Sequence, residues 1–154
     1  MSKKTSVVAA VAILMCSAGL LAQSHSNKES DDPDARPPVT QADVQIVQRA
    51  KKILDSPAKW NRSDTRNCQA AAKTFSLYCA LEKATIEVTR NFQHRGAAMQ
   101  ESRFVIDEMA PNRNYRHRLM DYNNDPTTTF ADIQKVFRLL QQRIERLAKE
   151  SPNK

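Results

Sequence analysis

Residues 129–147 read TFADIQKVFRLLQQRIERL. Ile133, Val136, Phe137, Leu140, Ile144 and Leu147 recur at intervals of three and four, which places them on one face of an α-helix with amide and charged side chains between them. Thr129 stands at the N-cap position and Asp132 three residues on, a capping-box-like pair. An amphipathic helix of this length needs other apolar faces to bury its own, and the rest of the chain supplies them in the same period.

Thr40, followed by Asp43, opens a first helix whose face is Val44, Val47, Ala50 and Leu54, flanked by Ile46 and Ile53, and Ser56-Pro57 ends it. A second helix is expected over about Thr74–Asn91, with Leu77, Leu81, Ala84, Thr85 and Val88 in one stripe. Tyr78, Cys79 and Ile86 widen that stripe, so this helix is expected to be the most buried. Gly96 permits a break, and a third helix runs about Ala97–Met109 with Ala98, Val105, Ile106 and Met109 inward, ending at Pro111. Residues 57–73 read as a polar connection around Trp60, in which Gln69–Lys73 could begin the second helix early. Residues 112–128 read as a loop with room for one short turn near Tyr115–Met120. Glycine occurs only at Gly19 and Gly96, too rarely for a fold of many tight β-turns. The expected fold is therefore all-α, a single compact domain of about four helices over residues 39–150, with enough chain for one modest core.

Ahead of that domain the composition changes twice. Lys3 and Lys4 precede an uncharged apolar run, Ser6–Ala22, and Ala22-Gln23-Ser24 supplies small residues at the −3 and −1 positions of a cleavage site. Residues 1–24 thus have the layout of a secretory signal peptide, and the protein is expected to be exported, periplasmic or extracellular. The alternative is a retained anchor, for which a run of 17 residues is at the short limit. Lipidation would need a small residue before Cys16, where Met15 stands. Residues 25–38 (HSNKESDDPDARPP) carry four carboxylates against Lys28 and Arg36 and read as a disordered acidic spacer. The whole chain has 24 basic and 17 acidic side chains, net +7. The signal contributes +2 and the spacer −2, so the domain itself carries +7. Such a surface favours anionic partners, which for an exported protein means a lipid, a polysaccharide or another anionic surface rather than genomic nucleic acid.

With Cys16 in the signal, Cys68 and Cys79 remain. A lone pair in an oxidising compartment suggests a disulfide. If one unbroken helix joined them, their Cα atoms would lie roughly 16 Å apart, whereas a disulfide needs under about 7 Å. The bond therefore requires Cys68 to sit in a loop that folds back. Otherwise Cys79 is a small residue packed at a helix contact.

The densest basic cluster is Arg113-Asn114-Tyr115-Arg116-His117-Arg118, a candidate for binding phosphates or stacking on a ring. A solvated loop paired with local carboxylates would look the same. Asn123 and Asn124 precede Asp125-Pro126, where shaping the turn is the plainer role and ligand binding the second. His117 and Asp121, four apart, would share a helical face, and they are the only pairing that hints at acid–base chemistry. His94 stands alone. No zinc-ligand spacing, nucleophile motif or cofactor fingerprint is present, so no metal or cofactor is expected.

Two stretches resemble an uncharacterised family of small bacterial and phage domains. That family opens a central helix with Cys-x-x-Gly-Ala-Leu-x-x-Ala, and Ser76–Ala84 is similar, with Ser76 at the family's cysteine and Cys79 at its glycine. It enters its last helix through Trp-Asn-Asp-x-Pro-x-x-Thr, and Tyr122–Thr129 is similar, with Tyr122 for tryptophan and Asn124 for aspartate. Trp60 also matches a tryptophan that the family places after its first helix. The resemblance spans roughly residues 44–147 and implies an α-rich domain with no known activity. Replacement of the family's cysteine and aspartate weakens any inference that those two positions carry shared chemistry.

Three functions remain in view. The first is an exported, non-enzymatic binding or interaction module with a basic surface, favoured by the charge and by the lack of a catalytic constellation. The others are a small hydrolase-like enzyme using polar residues of 112–128, and a structural envelope protein.

Overall fold

The computed structural model describes residues 32–150. The signal peptide expected over residues 1–24, and the spacer up to residue 31, lie outside the described residues. Within them the chain forms five α-helices: α1 (Gln41–Ile53), α2 (Leu77–Thr89), α3 (Ala97–Met109), α4 (Arg118–Asn124) and α5 (Phe130–Glu150). A single turn of 3₁₀-helix follows α1 at Pro57–Lys59.

The periodic faces meet as their spacing requires. α1 lies against both α2 and α5, α5 continues onto α3, and α4 fills the angle between α2 and α3. Ile133, Val136, Phe137, Leu140 and Ile144 of α5 are fully buried, opposite Val47 and Ala50 of α1 and Val105 and Ile106 of α3 in one continuous core. Both expected caps form. The Asp43 carboxylate accepts from the Thr40 backbone N–H (2.9 Å) and hydroxyl (2.8 Å), and its other oxygen accepts from Ala98 N (3.1 Å), tying the starts of α1 and α3 together. At α5 the Asp132 carboxylate takes the Thr129 N–H (2.9 Å) while Asp132 N donates back to Thr129 Oγ1 (3.2 Å).

Three expectations need correction. The second helix is shorter than the span expected for it, about Thr74–Asn91. It starts after Ser76, whose Oγ accepts from Cys79 N (3.1 Å), and ends at Arg90 in the left-handed region (φ 62°). Ile86, expected to widen the buried stripe, is 44 % exposed. The first turn of α2 is nonetheless buried all round, from Leu77 to Leu81. Residues 112–128, read as a loop with room for one short turn near Tyr115–Met120, contain a two-turn helix, α4, that lies slightly later, at Arg118–Asn124. Leu119 and Tyr122, three apart and both buried, anchor it, and Asp121 Oδ2 accepts from the His117 N–H (2.7 Å) at its start.

The connection from Pro57 to Ser76 doubles back. Asn61 N donates to Phe75 O (2.9 Å) and Phe75 N to Lys59 O (2.7 Å), pairing the two ends as an isolated parallel bridge. Gln69–Lys73 does not extend α2, and Cys68 lies in this returning loop. Cys68 and Cys79 are joined by a disulfide with their Cα atoms 5.2 Å apart.

Candidate functional site: an arginine-lined cleft

The returning loop is held by α4. Asn123, fully buried, accepts through Oδ1 from Trp60 Nε1 (2.8 Å) and Leu77 N (3.0 Å), and its Nδ2 donates to Asn61 O (2.9 Å) and Asn124 Oδ1 (3.1 Å). Asn124 brackets Asp64 as a strand neighbour would, accepting from its N–H (2.7 Å) and donating to its carbonyl (2.9 Å). Asp64 Oδ1 then accepts from Arg66 N (2.7 Å), a tight turn that holds Arg66 in the left-handed region at φ 59°. For a residue with a Cβ that conformation costs roughly 1–2 kcal/mol, sustained here by the network around it.

Arg66 reaches one wall of a cleft of about 350 Å³. α2 contributes Tyr78, the link between α2 and α3 contributes His94 and Arg95, and α3 contributes Gln100 and Arg103. The opposite wall is Tyr115, Arg116, His117 and the start of α4 from Arg118, and Pro33 closes one edge. Among the described residues, five arginines and two histidines line the cleft, with no carboxylate among their side chains. Concave cationic walls of low dielectric focus potential and draw anions in.

Arg103 organises the floor. It donates from Nη1 to Gln100 Oε1, and from Nη2 to His94 O (3.0 Å), with the same Nη2 3.1 Å from His94 Nε2. A guanidinium can only donate, so Nε2 is the acceptor and His94 carries its proton on Nδ1. That nitrogen is 3.2 Å from the Tyr78 hydroxyl, which it can therefore supply with a hydrogen bond. Burial, followed by the Glu82 charge, pushes the Tyr78 hydroxyl up to about 12, so it stays neutral at physiological pH. The floor thus offers aimed polar groups and cationic charge.

The six-residue basic cluster is split by the fold. Arg116, His117 and Arg118 face the cleft. Arg118 is also paired, to Asp34 (2.9 Å) and Asp107 (3.1 Å). Arg113 is not among the lining residues, and its Nη2 lies 3.6 Å from Asp125 Oδ2. Tyr115 lends its ring to the wall while its hydroxyl donates to the same Asp125 oxygen (2.8 Å). Hydrogen bonds from the Thr127 hydroxyl, the Thr127 N–H and Tyr115, with the Arg113 charge, hold the Asp125 carboxyl at about 2. Burial, followed by the bond to Asp125, raises the Tyr115 hydroxyl to about 12.

Two further candidates lie elsewhere. Asn123 and Asn124, considered as ligand contacts, are not in the cleft, and Asn123 spends its amide on the returning loop. The His117–Asp121 pairing does not form, because Asp121 takes the His117 backbone N–H rather than the imidazole. Sequence reasoning missed Arg66, Tyr78, Arg95 and Arg103 and left His94 unassigned. These residues come from four separate segments, and none stands in a local motif.

The two stretches that carry the family resemblance meet in space, at Asn123, whose Oδ1 binds both Trp60 and the first residue of α2. They form a packing junction next to the cleft, to whose lining Tyr78 belongs. Residues 38–143 match the model of a family described as a family of unknown function (DUF6197). No curated protein and no solved structure matches the chain.

Proposed function

The chain belongs to this family of unknown function, and from that premise we propose that it is an exported, non-enzymatic anion-binding module whose ligand enters the arginine-lined cleft. The observation that carries the reading is the lining itself: among the described residues, five arginines around about 350 Å³ without a carboxylate beside them in the wall. That volume is in the range of small-molecule sites, and a concave site suits a compact phosphorylated or sulfated group better than a flat membrane. Export is supported by the signal-like layout of residues 1–24 and by a disulfide of the kind oxidising compartments maintain. The hydrolase-like alternative loses the one pairing, His117 with Asp121, on which it leaned.

The test is calorimetric titration of the mature chain, residues 25–154, with inorganic pyrophosphate, alongside sedimentation with anionic vesicles. Arg66→Gln/Arg103→Gln/Arg116→Gln should weaken pyrophosphate binding by more than about tenfold, since charge-assisted hydrogen bonds are worth roughly 1.5–3 kcal/mol each. Arg138→Gln/Arg146→Gln, exposed on α5 away from the cleft, should leave it unchanged. Equal losses in both sets would mean diffuse electrostatics and overturn the reading. Binding to vesicles alone would replace the cleft by a surface. For export, the intact mass of protein recovered from the envelope or medium should match a chain beginning near His25, and a mass for all 154 residues would refute cleavage.

A further inference from the structure

We infer that the acidic arm ahead of the domain is a built-in competitor for the cleft, which restricts it to anions carrying more than one charge. The inference rests on the cleft being an anion site. The last residues of the segment expected to be a disordered spacer are held against α3. Gln100 Nε2 donates to Pro33 O (3.0 Å) and Ala35 O (2.8 Å). Arg36 Nη1 lies 3.2 Å from both oxygens of the buried Glu101, with its guanidinium 3.6 Å above the Phe104 ring. None of these anchors uses an arm carboxylate, so the arm has a hold on α3 besides the charge it delivers.

That position brings acid to the cleft mouth. Pro33 forms part of the lining, and Asp34 Oδ1 pairs with Arg118 Nη2 at 2.9 Å. Asp34 N donates to Asp32 Oδ1 (2.9 Å), folding the two acidic residues into one turn beside the edge. The sequence from 25 to 38 carries a net −2 against the +7 of the domain. A tethered anion competes at an effective concentration in the millimolar range. It is not a lock, because the Asp34 side chain is 62 % exposed and solvent-screened pairs of this kind are each worth a factor of about five at most. A free anion with a single charge meets that competition without compensation. One with two or more charges engages several arginines together and displaces the arm.

The experiment compares mature chains with pyrophosphate and with acetate as probes. Asp32→Asn/Asp34→Asn should bind pyrophosphate about threefold to tenfold more tightly than the unaltered chain, as removal of one or two screened pairs implies, and should gain measurable acetate binding. Asp55→Asn/Glu150→Gln, which removes two exposed carboxylates distant from the cleft, should change neither. Adding Arg103→Gln/Arg116→Gln to the neutralised arm should abolish the gain. Unchanged pyrophosphate affinity in the neutralised arm, with the cleft arginines still required, would overturn the competitor and leave the site standing. A gain matched by the distant pair would reduce the effect to bulk charge. No binding even with the arm neutralised would overturn the anion site together with this inference.

Discussion

Asn123 shows how little a residue's chemistry says about its use. In the sequence it stands beside Asn124, Asp125 and a proline, as ready to hold a ligand as to shape a turn. In the fold it is fully buried, and its single amide joins Trp60, Leu77, Asn61 and Asn124. Truncation would leave an indole N–H, a backbone N–H and a carbonyl without their partner. Asn123→Ala should therefore lower unfolding free energy by about 2–4 kcal/mol, read from urea denaturation, while the folded variant keeps its anion affinity. A lost affinity at unchanged stability would return Asn123 to the list of ligand contacts. Arg66 is the converse case. Nothing marks it in the sequence, and only the Asp64 turn and its left-handed backbone bring it to the cleft wall.

Among the elements, α1, α3 and α5 are legible because each carries its own cap or break and a clean apolar period. α4 is not, since two turns offer only Leu119 and Tyr122 as a period, and its burial comes from α2 and α3. The connection between α1 and α2 is the least legible, because what folds it back is a bridge between Trp60 and Phe75 and two asparagines some 60 residues away. The disulfide depends on that return. Closing a loop of 11 residues is worth roughly 2–3 kcal/mol in the chain-entropy model, a large share of the stability of a small domain. Reduction, or Cys68→Ser, should lower the denaturation midpoint accordingly. Two free thiols per chain in unreduced protein from an oxidising compartment would refute the bond.

At the scale of the molecule, a buried carboxylate ties three parts of the chain together. Glu101 on α3 is about 2 % exposed, with Arg36 of the arm at 3.2 Å on one side and Arg143 of α5 at 3.7 Å on the other. Arg143 also reaches Glu108 at 2.5 Å. Removing one partner of a buried charge is costly because the other is left without compensation. Arg143→Ala should destabilise by about 1–3 kcal/mol, the Arg36 pair limiting the loss. Glu101→Gln added to Arg143→Ala should recover most of it in a double-mutant cycle, and strict additivity of the two changes would show that they do not interact.

Local pattern was enough for what depends on neighbours in the chain. The 3.6-residue period, the Thr40–Asp43 and Thr129–Asp132 caps, and the breaks at Pro57, Gly96 and Pro111 are interactions within a turn or two, so an all-α domain with its main helices could be read directly. The same holds for the resemblance at residues 76–84 and 122–129, which marks an uncharacterised family but falls on the packing junction. The cleft depends on what lies far apart. Arg66, His94, Arg103 and Arg116 converge only after the loop returns and α4 packs, and the arm is brought to the mouth by contacts with Gln100, Glu101 and Arg118. Long-range convergence of single side chains leaves no period and no spacing, so tertiary packing alone decided where the charge of this protein is concentrated.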